Sequence, residues 1–189
     1  MKVLFIEPIH ESGMKRLENK YEVSIAPDTS RDTLEKCIVD ADAIITRLTV
    51  IDAELMAKAR HLKAVCKHGV GLDNIDVKYA REHGIEILTT GDANAFSVAE
   101  HAMLAIGALI RKIIYFDKEM RKGNWASRDI KGVREVRGKT LGIVGFGRIG
   151  KCLAEMAKYG FGMNVFIHDP YVTRKLVEEA GYAYYDELD

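Results

Sequence analysis

The sequence is poor in cysteine and proline, with three of each in 189 residues. Cys37, Cys66 and Cys152 lie far apart, are odd in number and form no C-x-x-C pair. That argues against a disulfide framework and against a zinc site. Free thiols suit a reducing compartment, so a cytoplasmic location is expected. An excess of one charge is also missing, because 28 Lys and Arg balance 28 Asp and Glu. There is then no global basic field to attract nucleic acid or a membrane surface. No block of like charges suggests a tail. Long apolar runs are lacking too. The longest helix-like one, Ala102 to Ile110, is closed by Arg111 and Lys112. It falls far below the roughly 20 residues that span a bilayer. The opening run Met1 to Pro8 is too short for a signal peptide. The six histidines show no H-E-x-x-H spacing, and no metal is expected.

What is present is an alternation of strand and helix. Val3–Ile6, Tyr21–Ile25, Ala43–Ile45, Leu62–Cys66 and Ile85–Leu88 read as short apolar strands. Helical stretches near 11–20, 33–39, 53–59 and 75–82 separate them. Short continuous apolar strands joined by helices imply a parallel sheet covered on both faces. Residues 1–96 are therefore expected to form one doubly wound α/β domain of flavodoxin-like type. Residues 97–122 favour one long helix, with Ser97 and Glu100 as a capping box and Gly123 after the last turn. Val98, Ala102, Ala105, Leu109 and Ile113 mark one apolar face, and Met103, Ile106, Ile110 and Ile114 another. A helix apolar on so many sides is expected to be buried on more than one face, between domains or between subunits. His101 is expected inside it as a core residue. A second α/β series follows a polar loop over 124–139. Thr140–Val144, Asn164–His168 and Tyr182–Tyr185 are its strands, and Arg148–Tyr159 and Thr173–Ala180 its helices.

Gly145-Phe146-Gly147-Arg148-Ile149-Gly150 is G-x-G-x-x-G between an apolar strand and a helix. Asp169 follows Gly150 by 19 residues, at the end of the next strand. That is the context of the dinucleotide fingerprint. Gly145 allows the tight turn, Gly147 lets the backbone approach a pyrophosphate, and Gly150 lets helix and strand pack. The free N–H groups of Arg148 and Ile149 meet the diphosphate. Asp169 is expected to accept from both ribose hydroxyls, and its charge favours NAD over NADP. The bland alternative is a glycine turn that only packs a helix on a strand. Arg174 is expected to be a solvated helix residue rather than a contact for a 2′-phosphate.

With these motifs the sequence resembles the D-isomer-specific 2-hydroxyacid dehydrogenases, near the phosphoglycerate dehydrogenase and hydroxypyruvate reductase-like members. The resemblance covers the whole chain. It rests on Gly145–Gly150 with Asp169, on Lys67-His68-Gly69-Val70-Gly71-Leu72-Asp73-Asn74-Ile75-Asp76, and on the segment Thr89 to His101. It implies an oxidoreductase that moves a hydride between NAD and a small 2-hydroxy or 2-oxo acid, of phosphoglycerate or of hydroxypyruvate and glyoxylate type. It also implies a substrate domain over 1–96, the first half of a Rossmann NAD-binding domain over 97–189, and a homodimer built on helix 97–122. In similar enzymes Gly69, Val70 and Gly71 hold the substrate carboxylate, and Val70 touches the nicotinamide. Glycines beside Val70 leave backbone N–H groups open to an anion, though a plain strand–helix turn would look the same. Asp73 and Asn74 are expected to cap the helix that follows. Arg47 sits just past a strand on the same sheet edge, where similar enzymes with phosphorylated or dicarboxylic substrates place an arginine followed by serine. Here Leu48 follows, which weakens a phosphoglycerate site and leaves a surface arginine as the alternative.

Related enzymes take their catalytic Arg, Glu and His from later in the nucleotide domain. The chain offers no matching positions, so no catalytic residue is assigned. Truncation before the catalytic half is expected to leave Thr140–Val144 as an unpaired apolar edge, with the isolated second half unstable, self-associating or completed by a partner. A non-catalytic, NAD-binding, dimerising fragment is therefore the second reading. A corepressor-like regulator, which no basic patch supports, is the third.

Overall fold

In the computed structural model, which describes residues 1–188, strand and helix alternate along the chain. The first unit comprises residues 1–91. Its elements are β1 (Lys2–Phe5), α1 (Glu11–Glu18), β2 (Glu22–Ile25), α2 (Arg31–Cys37), β3 (Ala43–Thr46), α3 (Ala53–Lys58), β4 (Ala64–Lys67), α4 (Val77–Glu82) and β5 (Glu86–Thr89). All ladders are parallel, in the order β2-β1-β3-β4-β5. Period-two alternation sends successive residues to opposite faces. Leu4, Ile6, Ile44 and Val65 join Leu34, Ile38, Leu55, Met56 and Ala80 in one core. Val3, Phe5 and Ala43 join Met14 and Leu17 of α1 in another. Apolar layers on both faces make this a doubly wound sheet. Full burial of Phe5, Ile44 or Leu55 stabilises by about 1.5–3 kcal/mol each.

The second unit runs from Asp92 onward. It holds α5 (Ala95–Ile110), α6 (Ile113–Arg121), β6 (Thr140–Val144), α7 (Arg148–Glu155), β7 (Asn164–His168), α8 (Arg174–Glu179) and β8 (Ala183–Tyr184). A 3-10 turn spans Trp125–Asp129, and a π turn extends α7 over Met156–Gly160. The sheet is parallel, in the order β6-β7-β8. Ile143, Val165 and Ile167 pack with Met103, Ala154, Ala157 and Val177 on one face. The opposite face carries Gly142, Val144, Phe166 and His168. With Tyr185 and Leu188 they line an open groove of about 320 Å³. β6 pairs with β7 alone, and its other edge carries no strand among the described residues.

Several local expectations need correction. The stretch 97–122 is two helices, because Lys112 adopts the left-handed conformation at φ 52°. That residue takes the place of the glycine that usually ends a helix. The loop after the 3-10 turn stabilises the break: Lys112 Nζ donates to the Lys131 carbonyl at 3.0 Å, and Arg134 N–H to the Ile110 carbonyl at 3.4 Å. The helix starts earlier than expected, with Asn94 as N-cap and Ser97 inside the first turn. Only Ala95, Ala99 and Met103 of α5 are buried, and His101 lies on the exposed side. Leu104, Leu109, Ile113 and Ile114 are exposed. Asp76, not Asp73 or Asn74, caps α4, and it accepts from Tyr79 N–H at 2.9 Å.

Candidate functional site

Two groups of expected site residues form, one in each unit. In the first unit the winding direction reverses between β1 and β3, so the loops after those strands diverge and open a crevice. Ligands of open α/β sheets bind at such a point. Glu7 follows β1, Arg47 to Thr49 follow β3, and Gly69 to Gly71 follow β4.

The turn after β3 is tied down from two directions. Glu7 Oε2 accepts the N–H of Arg47 at 2.8 Å. Its Oε1 accepts the N–H groups of Leu48 at 2.8 Å and Thr49 at 2.7 Å, and the Thr49 hydroxyl at 2.8 Å. On the carbonyl side, Lys67 Nζ donates to Arg47 O at 2.6 Å and to Asn74 Oδ1 at 2.5 Å. Asn74 Nδ2 donates to Thr49 O at 2.6 Å. Partial burial pushes the Glu7 carboxyl up, but the N–H groups of Leu48, Arg47 and Thr49 and the Thr49 hydroxyl outweigh it. The net result is a pKa below the ordinary glutamate value.

Arg47 is exposed at this edge, and among the described residues its guanidinium has no carboxylate partner. Lys67 links the Arg47 backbone to the strand that leads into the glycine loop. That loop is anchored through the Gly69 carbonyl, which accepts from Thr90 N–H at 3.0 Å and Thr90 Oγ1 at 3.1 Å. Val70 and Gly71 are exposed, and among the described residues no acceptor meets their N–H groups. A cationic side chain and unpaired amides on one sheet edge suit a small carboxylate. Glu7 and Lys67 were not singled out from the sequence, and Asn74 was expected only to cap the helix that follows. The available signal for Glu7 was its place directly after the apolar run Val3–Ile6, where a strand ends.

In the second unit the glycines of the fingerprint have separable roles. Gly145 has φ +99°, a conformation that side chains resist. A Cβ on Gly150 would lie 2.0 Å from the Gly145 carbonyl oxygen, so only glycine fits there. A Cβ on Gly147 would meet nothing within 4 Å, so that space is open for an outside group. Gly147 is the N-cap of α7 and has no side chain to cap the helix. The first N–H groups of α7, those of Arg148 and Ile149 included, therefore lack side-chain partners and suit a diphosphate. The cradle fits a dinucleotide.

Asp169 ties this cradle together. It is buried, and its Oδ2 accepts Phe146 N–H at 2.6 Å. Its Oδ1 accepts Tyr171 N–H at 2.7 Å and Val172 N–H at 3.1 Å. These donors, Phe146 first, hold its pKa below the ordinary aspartate value. A carboxylate offers about four acceptor positions, so about one stays open beyond these donors. Arg174 is engaged elsewhere. It pairs with Asp186 and with Glu178 and lies over the Tyr184 ring at 5.2 Å.

Known proteins agree with this geometry. A D-3-phosphoglycerate dehydrogenase of Methanocaldococcus jannaschii is 37% identical over 190 residues, covering 100% of this chain and 36% of its own. A glyoxylate reductase of Thermococcus onnurineus is 39% identical over 184 residues, covering 92% and 54%. Among solved structures, an NAD-dependent formate dehydrogenase of Staphylococcus aureus in complex with NAD superposes with a TM-score of 0.77 at 29% identity, over 98% of this chain and 60% of that one. The chain thus spans from about a third to little more than half of the curated relatives' length. The family described as D-isomer specific 2-hydroxyacid dehydrogenase, catalytic domain, matches residues 3–188. On that match, which takes in both glycine loops, the chain belongs to the D-isomer-specific 2-hydroxyacid dehydrogenases.

Proposed function

We propose that this chain is the substrate-binding and dinucleotide-binding portion of an NAD-dependent oxidoreductase acting on a small 2-hydroxy or 2-oxo acid. The observation that carries the reading is the open cradle at Gly147 beside a carboxylate clasp at Asp169. The nicotinamide cofactor, when bound, would accept the hydride from a 2-hydroxy acid or, in its reduced form, donate it to a 2-oxo acid. Gly147 leaves room for its diphosphate, the N–H groups of Arg148 and Ile149 neutralise that charge, and Asp169 takes a ribose hydroxyl. A 2′-phosphate would meet the Asp169 carboxylate with Arg174 already paired, which favours NAD over NADP. The residues 1–96 serve the substrate: Arg47 attracts its anionic end, and the free amides of Val70 and Gly71 hold the carboxylate. With Leu48 exposed beside Arg47, a substrate of the glyoxylate or hydroxypyruvate kind suits this edge better than phosphoglycerate.

Two copies associate through α5 and α6. Exposed Leu104, Leu109, Ile113 and Ile114 support this, because apolar side chains grouped on a surface favour an interface. Among the described residues no helix is long and apolar enough to cross a membrane. The three cysteines are free, in keeping with a reducing cytoplasm.

Titration with NAD and NADP, followed by amide shifts of residues 145–150, tests the reading. NAD should move Arg148 and Ile149 and bind at least tenfold more tightly than NADP. Equal affinities, or NAD shifts confined to residues outside the turn, would remove the assignment.

A further inference from the structure

Three consecutive N–H groups, those of Arg47, Leu48 and Thr49, converge on one point after β3. Converging amides of this kind make an anion-binding concavity. Here the anion is the protein's own. Glu7 reaches across from the end of β1, 40 residues earlier, and fills the concavity with both carboxylate oxygens. The same turn is held at its carbonyls by Lys67 and Asn74. Arg47 therefore has its N–H fixed by one strand and its C=O by another. Its backbone has little freedom, and ordering the guanidinium toward an incoming anion costs only side-chain entropy.

We propose that Glu7 is a positioning residue, which presents Arg47 to the anionic end of the substrate by occupying the amide nest of residues 47–49. The proposal rests on the reading that Arg47 meets substrate. Glu7 itself has no substrate contact in this scheme.

The test uses the full chain with glyoxylate as probe and amide shifts as readout. Glu7→Ala empties the nest. Glyoxylate affinity should fall at least tenfold, and the Leu48 and Thr49 amides should broaden. Acetate at tens of millimolar should refill the nest, sharpen those amides and restore most of the affinity. Glu7→Gln fills the same space but sets an NH2 donor against N–H donors. It should lose affinity similarly, and acetate should not rescue it. If Glu7→Ala binds glyoxylate within twofold of the unaltered chain, the proposal is overturned. Acetate rescue of both variants alike overturns it too, since the nest would then not be the site of rescue. Arg47→Ala separates the two ideas. If it binds glyoxylate as well as the unaltered chain does, the substrate role of Arg47 fails. The proposal then falls with that reading, and loss of order at the Arg47–Thr49 amides in Glu7→Ala would show only that Glu7 orders the turn. If Arg47→Ala does lose affinity, Glu7→Ala tests the positioning role by itself.

Discussion

Among the described residues the first sheet is packed on both faces and the second on one. In the first unit, side chains of both parities along β1 are buried: Val3 and Phe5 against α1, Leu4 and Ile6 against the other helices. In the second unit Ile143 is buried while Val144, its neighbour in β6, is 67% exposed. Both sheets arise from the same repeating strand–helix pattern. A strand–helix repeat fixes parallel pairing, but coverage of the second face depends on where the winding reverses. The order β2-β1-β3-β4-β5 contains such a reversal, and the three described strands β6-β7-β8 run in sequence order. The reversal also opens the crevice in which Glu7, Arg47 and the glycine loop meet. The second unit offers its cradle at a helix start instead.

The largest effect separating the units should come from the double-faced core. Leu55→Ala removes a fully buried side chain and should cost about 2–5 kcal/mol, lowering the first thermal transition while the second stays put. Calorimetry showing a single shifted transition would mean that the units melt together. In the second unit, Gly150→Ala should cost about 1–3 kcal/mol or more, because its Cβ would press on the Gly145 carbonyl. Gly147→Ala should leave that melting temperature within a degree or two and still weaken NAD binding roughly tenfold, worth about 1.4 kcal/mol. Equal melting shifts for both would contradict the division between a packing glycine and a ligand-facing one.

Acid sharpens the comparison further, since each unit holds one backbone-clasped carboxylate. Glu7 and Asp169 both titrate below their ordinary values of 4.5 and 3.8 in the folded chain. The unfolded chain takes up these protons first as pH falls. Each group thus contributes stability that is complete above its unfolded pKa and is lost as pH drops through the folded one. Glu7→Gln should flatten the loss of first-unit stability below about pH 4.5 and leave the acid response of the second unit unchanged. An unaltered slope in urea titrations would place that acid sensitivity elsewhere. The smallest effect is expected from the exposed Glu11–Lys15 pair at 2.6 Å. Its removal should cost about 0.3–0.5 kcal/mol and vanish in high salt.

The alternation of short apolar strands with helices was legible along the chain, as was the fingerprint from Gly145 to Gly150 with Asp169. Both depend on residue type at fixed local spacing, and so did the placement of Arg47 and Gly69–Gly71 past strand ends. The break at Lys112 was not legible. Nothing in Arg111-Lys112-Ile113 disfavours helix, and the left-handed turn is stabilised by carbonyl and amide partners at Lys131 and Arg134. His101 was misjudged because a helix apolar on many sides says little about which side the core will meet.

Local spacing along this chain determined the parallel strand–helix units and the need for glycine at the turn opening α7, because backbone conformation and side-chain period are properties of neighbouring residues. The tertiary structure alone decided that Glu7 fills the amide nest beneath Arg47, that Lys67 and Asn74 lock the same turn, and that Asp169 spends most of its acceptors on backbone. The longest-range of these bonds join residues 20 to 42 positions apart. Such partners are chosen by strand order and crevice geometry, which no local pattern encodes.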